Sequence, residues 1–439
     1  MNPLDQIIAF LKQVDELETA KTLLSTFQKY SSSIEQYDQL GRLFHDVKGY
    51  SQSIECTEKS FALSRTPNEL YATRSNLAKL YNHINRPDKS LQYIKANLDV
   101  NPTDYEMMME KVFSLYLSSN FQASQQLTEQ LLHDSNTPDN IRKRCEFNYG
   151  SYLLDQDRFK EGLIGFIDIG HQIGIWPKYN YPGPQWCGEI TPGKNIAILA
   201  EGGIGDEIIN IRFIKHIEKL GMNAYFVSNR AELIDIFNRN NLRSVGSVKD
   251  VPADSEFILS MYLPIALNLE PEDLWYGPYL TPDDSYVEKW KHILPTGDKV
   301  AVRWSGNPYY EQDLHRSVPL TLLSEYLNFD NPNINFISVQ KDNYTGIEEY
   351  PVMNVADELS TLEDLIACLS LMNYTVTSCT SVAHVAAACG FPLTVLPPVA
   401  TYYTWLGHSK WYGADCTILR QTNWNDWTHM SQIKLEELI

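Results

Sequence analysis

The sequence predicts an α + α/β protein: an N-terminal array of helical hairpins followed by two halves, each a parallel sheet wrapped in helices. Three observations predict it. Apolar and small residues recur with a period of 33 to 38 over the first third of the 439 residues. After Trp176, short apolar runs alternate with amphipathic stretches. Several of those runs end in turns rich in Gly, Ser and Thr. At 43% hydrophobic and 21% charged residues, the composition is that of a globular chain with real cores. It excludes a disordered or collagen-like chain.

The repeats come first. Ile8, Gly41, Ala78, Val112 and Gly150 mark the middle of successive helices, at spacings of 33, 37, 34 and 38. Three residues on, each is followed by an apolar residue: Leu11, Phe44, Tyr81, Leu115, Leu153. Nine on come Leu17, Tyr50, Pro87, Phe121 and Phe159, and twelve on a small residue: Ala20, Ser53, Ser90, Ser124, Gly162. A helix–turn–helix unit needs that small position, because bulk there would hold its two helices apart. The Asn101-Pro102 pair falls at a repeat end, where proline stops one helix and starts the next. Residues 1–172 are therefore expected to form five hairpins. The pattern resembles the tetratricopeptide repeat, with its unit of ~34 residues. Such arrays offer a concave surface to a protein partner or to a second copy, or brace a neighbouring domain.

Residues 173–193, rich in Pro, Tyr and Gly, read as a linker. Strand 195–200 then opens a first half over 194–285, with a helix at 208–220, a strand at 224–227, a helix at 231–237 and a strand at 257–260. Residues 282–294 divide it from a second half over 286–439. That half holds strand 299–304, helix 320–327, strand 335–339, helix 362–371, strand 374–377, helix 382–388 and strand 392–396. Buried parallel strands read as such continuous apolar runs, and their alternation with helices implies βαβ units. Two Rossmann-like halves facing each other across a cleft make the GT-B architecture. Ligands of such sheets bind beyond the carboxyl ends of the strands, which directs attention to the strand-to-helix turns.

Three turns carry candidate chemistry. Glu201-Gly202-Gly203-Ile204-Gly205-Asp206-Glu207 opens a helix whose N-terminus favours an anion and whose glycines admit close approach. The spacing is not GxGxxG, and Asp206 and Glu207 equally suit a helix cap. Ser378-Cys379-Thr380-Ser381-Val382-Ala383-His384 offers hydroxyls beside free backbone N–H groups. His384, one turn inside, reads equally as a buried helical histidine. Trp304-Ser305-Gly306-Asn307-Pro308 ends a strand, with His315-Arg316-Ser317 close behind. Trp405, Trp411, Trp424 and Trp427, four of the nine tryptophans, crowd the C-terminus with Tyr412. They suit stacking on a base or sugar, or packing of the tail.

Charge and cysteine usage narrow the setting. A formal charge of −19 disfavours nucleic acid and anionic membrane surfaces. The seven cysteines are scattered, with no CxxC, and the ten histidines show no ligand spacing, so neither a disulfide framework nor a metal site is expected. No apolar run approaches the ~20 residues of a membrane span. A cytoplasmic protein with reduced thiols is the expectation.

The turns also occur in a familiar order: Pro184-Gln185-Trp186, Glu201 to Asp206 with Arg212, Trp304 to Pro308, Arg316-Ser317, Ser338-Val339-Gln340, Thr380 to His384, Trp411-Tyr412 and Arg420-Gln421. With the repeats in front, the chain resembles tetratricopeptide proteins whose C-terminal domain is related to the ADP-heptose lipopolysaccharide heptosyltransferases. The resemblance implies a glycosyltransferase using a nucleotide-sugar donor, without a further cofactor or metal. It implies Asp206 as catalytic base. Donor contacts are implied at Gly203, Gly205, Asn307, Arg316, Gln340, Thr380, Ser381 and His384. The layout is also similar to that of protein O-GlcNAc transferases, so either a protein or a glycan is expected as acceptor. The chain departs from the family pattern at Cys379, where an acidic residue is usual, at Arg303, an apolar strand position in the family, and in lacking the family's lysine. A non-catalytic scaffold with a degenerate nucleotide-binding module is the alternative these departures leave open.

Overall fold

The computed structural model describes residues 3–13, 16–176, 180–307, 313–342, 345–407, 410–424 and 426–439. Two compact units emerge, Met1–Cys145 and Glu146–Ile439.

The first unit is built of antiparallel helix pairs: α1 (Pro3–Gln13) with α2 (Leu17–Gln28), α3 (Ile34–Asp46) with α4 (Tyr50–Leu63), α5 (Pro67–His83) with α6 (Pro87–Leu98), and α7 (Tyr105–Leu117) with α8 (Phe121–His133). The twelve-residue interval read from the sequence has a direct physical counterpart. The hydroxyl of Ser53 donates to the Gly41 carbonyl at 2.7 Å, that of Ser90 to Ala78 at 2.8 Å, and that of Ser124 to Val112 at 2.6 Å. All three serines are fully buried. Each bond fastens the second helix of a hairpin to the first and satisfies a hydroxyl that would otherwise be costly to bury. Helix starts are written locally as well. Ser33 with Gln36 and Thr66 with Glu69 form capping boxes, and Pro67 and Pro87 occupy first-turn positions. Phenols add further ties: Tyr81 of α5 donates to Glu58 of α4 in the preceding hairpin at 2.5 Å, and Tyr105 closes its own hairpin on Asp134 at 2.7 Å.

Helix α9 (Asp139–Asp155) carries the chain past Cys145. It pairs with α10 (Phe159–Leu163), which runs through a π-turn at Ile164–Asp168 into α11 (Ile169–Gln172). Here the small positions are glycines for a stricter reason than before. A Cβ on Gly150 would stand 2.6 Å from the backbone nitrogen of Phe166, and one on Gly162 would stand 2.8 Å from that of Leu154. Leu154, Leu163, Phe166 and Ile167 pack into the large core of the second unit. The compact division therefore falls at Cys145, not at the expected 172, and the last hairpin folds with the α/β region.

That region contains two all-parallel sheets. The first has β1 (Asn195–Leu199), β2 (Asn223–Val227), β3 (Ser244–Val245) and β4 (Glu256–Leu259) in the order β3-β2-β1-β4. Its helices are α12 (Ile204–Ile211), α13 (Ile214–Lys219), α14 (Ala231–Arg239) and α15 (Leu263–Ala266). After α16 (Asp284–Ile293), the second sheet collects β5 (Asp298–Arg303), β6 (Ile334–Ser338), β7 (Val352–Asn354), β8 (Tyr374–Ser378), β9 (Leu393–Leu396) and β10 (Cys416–Ile418) in the order β10-β9-β8-β5-β6-β7. Around it lie α17 (Asp313–Arg316), α18 (Leu320–Leu327), α19 (Leu362–Ser370), α20 (Ser381–Ala388) and α21 (Leu435–Leu438). The architecture is the expected one: helical repeats, then two Rossmann-like halves in GT-B manner.

Four local expectations are corrected. The helix expected at 208–220 starts at Ile204 and breaks after α12, where Arg212 turns its guanidinium into the interior. The stretch 282–294 is a helix rather than a mere divider. The short edge strands β3, β7 and β10 escaped the sequence reading. The linker, as far as it is described, is docked rather than loose: Gln185 bridges Phe257 in parallel, and Trp186 is wholly buried, its indole donating to the Glu189 carbonyl at 2.9 Å. Pro177, Pro308 and the side chain of His315 lie outside the described residues. One continuous apolar core, from Ile196 and Ile198 to Val382 and Trp411, underlies both halves.

Candidate functional site

In each sheet the strand order reverses once, between β1 and β4 in the first and between β5 and β8 in the second. Crevices at such reversals are where ligands of parallel sheets bind. The turn after β1 leads into α12 and the turn after β8 into α20, and these two helices pack directly against each other. A Cβ on Gly205 would meet the His384 imidazole at 2.7 Å, so only glycine permits this approach. The Asp206 turn and the Thr380 turn therefore face each other where the halves meet.

Asp206 stands at the centre. Its Oδ2 accepts the Gly203 N–H at 2.7 Å, closing the first turn of α12, and its Oδ1 accepts the Tyr402 hydroxyl at 2.5 Å. Burial holds its pKa above the ordinary carboxylate value; the Tyr402 and Gly203 bonds oppose that rise and the charge on Glu201 adds to it. Glu201, at the end of β1, accepts the Met261 N–H at 3.1 Å and stands 3.1 Å from Nε2 of His171, the pair being 7% and 10% exposed. His171 stacks on Tyr262, whose hydroxyl donates to Asp168 at 2.9 Å.

On the opposing wall, Arg316 lays its guanidinium over Gly306, where any side chain would collide with it. It pairs with Asp313 at 2.9 Å and donates to the Cys379 carbonyl at 3.3 Å. Thr380 caps α20 without a side-chain cap bond, its hydroxyl 3.4 Å from that of Thr377. Ser381 opens the helix. The N–H groups of that first turn point past these hydroxyls. Three buried polar atoms at the ends of β5 and β8 have no partner among the described residues: Nε of Arg303, Oγ of Ser305 and Oγ of Ser378. Arg303 is 11% exposed, with Asp342 the carboxylate beside it at 3.8 Å. Burial and the neighbouring Arg316 charge push its pKa down.

The other expected contacts are placed differently. The amide of Gln340 is engaged with backbone: its oxygen accepts from Trp304 and Ser305 N–H at 3.3 and 3.0 Å, and its nitrogen donates to the Asp342 carbonyl. Asn307 is exposed at the end of the same turn. His384 is 5% exposed, bonded through Nδ1 to the Tyr412 hydroxyl at 2.9 Å and stacked on Trp405 at 4.9 Å. Burial, with Arg212 nearby, drives its pKa down to about 3, so it is a neutral ring at physiological pH. The structure thus brings together Asp206, Gly203, Arg316, Thr380 and Ser381, with Gly205 and His384 beneath them as the packed floor. Cys379 takes a hydrogen bond from the Trp405 indole at 3.1 Å, and burial pushes its thiol up to about 11. The C-terminal aromatics Trp405, Trp411, Tyr412 and Trp427 are buried and pack the tail against the domain. Tyr402, His171 and Glu201's pairing were missed in the sequence. Their only signal was position: a turn after β9 and a helix just before the sheet.

Among the described residues no cluster of three or more His, Cys, Asp or Glu is arranged to hold a metal, and no helix is long and apolar enough to cross a membrane.

No protein-family profile matches the chain. It is similar to Protein FlbA of Caulobacter vibrioides, 20% identical over 427 residues that cover 88% of this chain and 70% of that protein. Among solved structures it is similar to ADP-heptose lps heptosyltransferase II of E. coli, at 13% identity and a TM-score of 0.36, covering 55% of this chain and 95% of that one. It is also similar to a mutant O-GlcNAc transferase of Thermobaculum terrenum, at 11% identity and a TM-score of 0.34, covering 93% and 86%.

Proposed function

We propose that the protein is a glycosyltransferase that moves a sugar from a nucleotide-sugar donor to an acceptor hydroxyl, with inversion and without a metal. The observation that carries this reading is the meeting, at one seam, of a basic carboxylate from the first half with cationic and N–H groups from the second. Asp206 takes the proton of the acceptor hydroxyl. The freed oxygen attacks the anomeric carbon from the side opposite the leaving group, and the bond from that carbon to the diphosphate breaks with its electrons. The nucleoside diphosphate that departs gains negative charge. The first-turn N–H groups of α20, the hydroxyls of Thr380 and Ser381, and the guanidiniums of Arg316 and Arg303 are the groups available to stabilise it. Fixed cations and a helix end in that role remove the need for a divalent ion. The acceptor is a protein or a glycan, and the repeat unit is a surface on which a protein acceptor docks or copies associate. Seven cysteines that form no disulfide among the described residues fit a cytoplasmic setting.

A second reading, a scaffold with a degenerate nucleotide fold, draws on specific observations. Gln340 and His384 spend their polar atoms inside the protein, and Cys379 stands where an acidic side chain would reach the donor sugar. Calorimetry against a panel of nucleotides and nucleotide sugars decides between the two. Sugar-dependent binding with slow donor hydrolysis is the expected result; no binding at millimolar concentration would leave the scaffold. With a donor in hand, Asp206→Asn is expected to bind it within a few-fold of wild type while losing transfer by at least ~10².

A further inference from the structure

We propose that Tyr402 is a positioning residue that favours the ionised form of Asp206 by donating a hydrogen bond from the second half to the base on the first. The inference rests on the reading of Asp206 as the base. Asp206 belongs to α12 of the first half, and Tyr402 to the segment after β9 of the second, 196 residues away. The Tyr402 hydroxyl donates to Oδ1 at 2.5 Å, while Oδ2 is already taken by the Gly203 N–H. Each carboxylate oxygen has two lone pairs, so one on each remains for an acceptor hydroxyl.

The need for a second donor follows from what surrounds the carboxylate. Glu201 lies on the same side, at the end of β1, and its charge opposes ionisation of Asp206; His171 pairs with that Glu201. From the other half come the Cys379 thiol, neutral at physiological pH, and the Tyr403 phenol. Arg316, the cation on that wall, is tied to Asp313 and the Cys379 carbonyl, and Arg230 on the near side to Glu207 and the Gly202 carbonyl. Donation by the Tyr402 hydroxyl stabilises the anion from across the seam. Without that donor, in otherwise unchanged surroundings, the proton affinity of the buried carboxylate would rise.

The test reads Asp206 directly and needs no known donor. Infrared titration of the wild-type protein, with the Asp206→Asn protein subtracted, isolates the Asp206 carboxyl band. In Tyr402→Phe, whose ring keeps its packing against Phe166 and Tyr403, the midpoint is expected to move up by about one pH unit. Site-specific replacement of Tyr402 by a fluorinated tyrosine, a stronger donor, is expected to move it down. Once a donor is identified, the acid limb of kcat/KM should shift in the same directions, and Tyr402→Phe should recover at higher pH. An unmoved midpoint, or an activity loss equal at every pH, would overturn the role of Tyr402 while leaving Asp206 as base. Full transfer by Asp206→Asn would instead overturn the base itself.

Discussion

The rungs of the repeat hairpins and the ends of strands β5 and β8 both bury polar side chains, but they treat them in opposite ways. In the repeats the same hydroxyl recurs, at Ser53, Ser90 and Ser124, and each time it meets a carbonyl twelve residues back. At the ends of β5 and β8, Nε of Arg303, Oγ of Ser305 and Oγ of Ser378 occur once each and have no partner among the described residues. Repetition with satisfaction marks a group that holds the fold. A singular orphan at a strand's carboxyl end is a group that the fold carries at a cost.

That contrast can be broken by substitution. The largest effect is expected at Arg303. Replacing a poorly compensated buried cation by an apolar side chain of similar length, Arg303→Met, should stabilise the protein by about 2 kcal/mol in chemical denaturation. The same change should weaken nucleotide-sugar affinity at least ~10-fold, by loss of a desolvated cation facing phosphate. A destabilised variant with unchanged affinity would place Arg303 among the structural groups. Next comes the neutral His384. Its pKa falls on folding to about 3, from an ordinary ~6.5. Between those values the unfolded chain binds the extra proton, so stability is lost as pH falls through that window, by at most about 1.4 kcal/mol per pH unit. Melting temperatures of wild type and His384→Gln, followed from neutrality down to pH 4, should converge as the pH drops. The smallest effects compare the two kinds of serine. Ser124→Ala should cost about 1 kcal/mol and leave any transfer untouched. Ser378→Ala should change stability by less than about 0.5 kcal/mol and lower donor affinity a few-fold.

How far the sequence exposes this molecule depends on range. The twelve-residue rung was legible, because a hairpin repeats its packing solution within one period. Strands β1, β5, β8 and β9 were legible as apolar runs, since burial on both faces leaves no polar alternation to confuse them. Strands β3 and β10, two and three residues long, are too short to carry any pattern. The break between α12 and α13 was invisible for another reason: the helical periodicity continues through Arg212, and only tertiary partners reveal that the side chain turns inward. Asp206, Thr380 and Arg316 were found because turns after strands are where such sheets do chemistry. Tyr402 was not, because its partner lies on another sheet and nothing in a linear reading joins the two. Gln340 shows the converse error. A polar residue after a strand suggested a ligand contact, yet its amide is consumed in shaping the turn after β5.

Arg212 carries a consequence for how the chain is made. Its guanidinium, without exposure to solvent, donates to the carbonyls of Ile209, Leu274 and Trp411 and lies over the rings of Tyr279 and Tyr412. The Trp411 carbonyl lies 199 residues downstream. At a ribosomal pace of about 5–20 residues per second, roughly 10–40 seconds separate the appearance of this cation from that of its last partners. Through that interval the nascent first half has an unfinished interior, and it must wait for the tail before it can close. Premature stops between Arg212 and Trp411 should therefore leave an unfinished first half that proteases clear, rather than a smaller folded α/β unit.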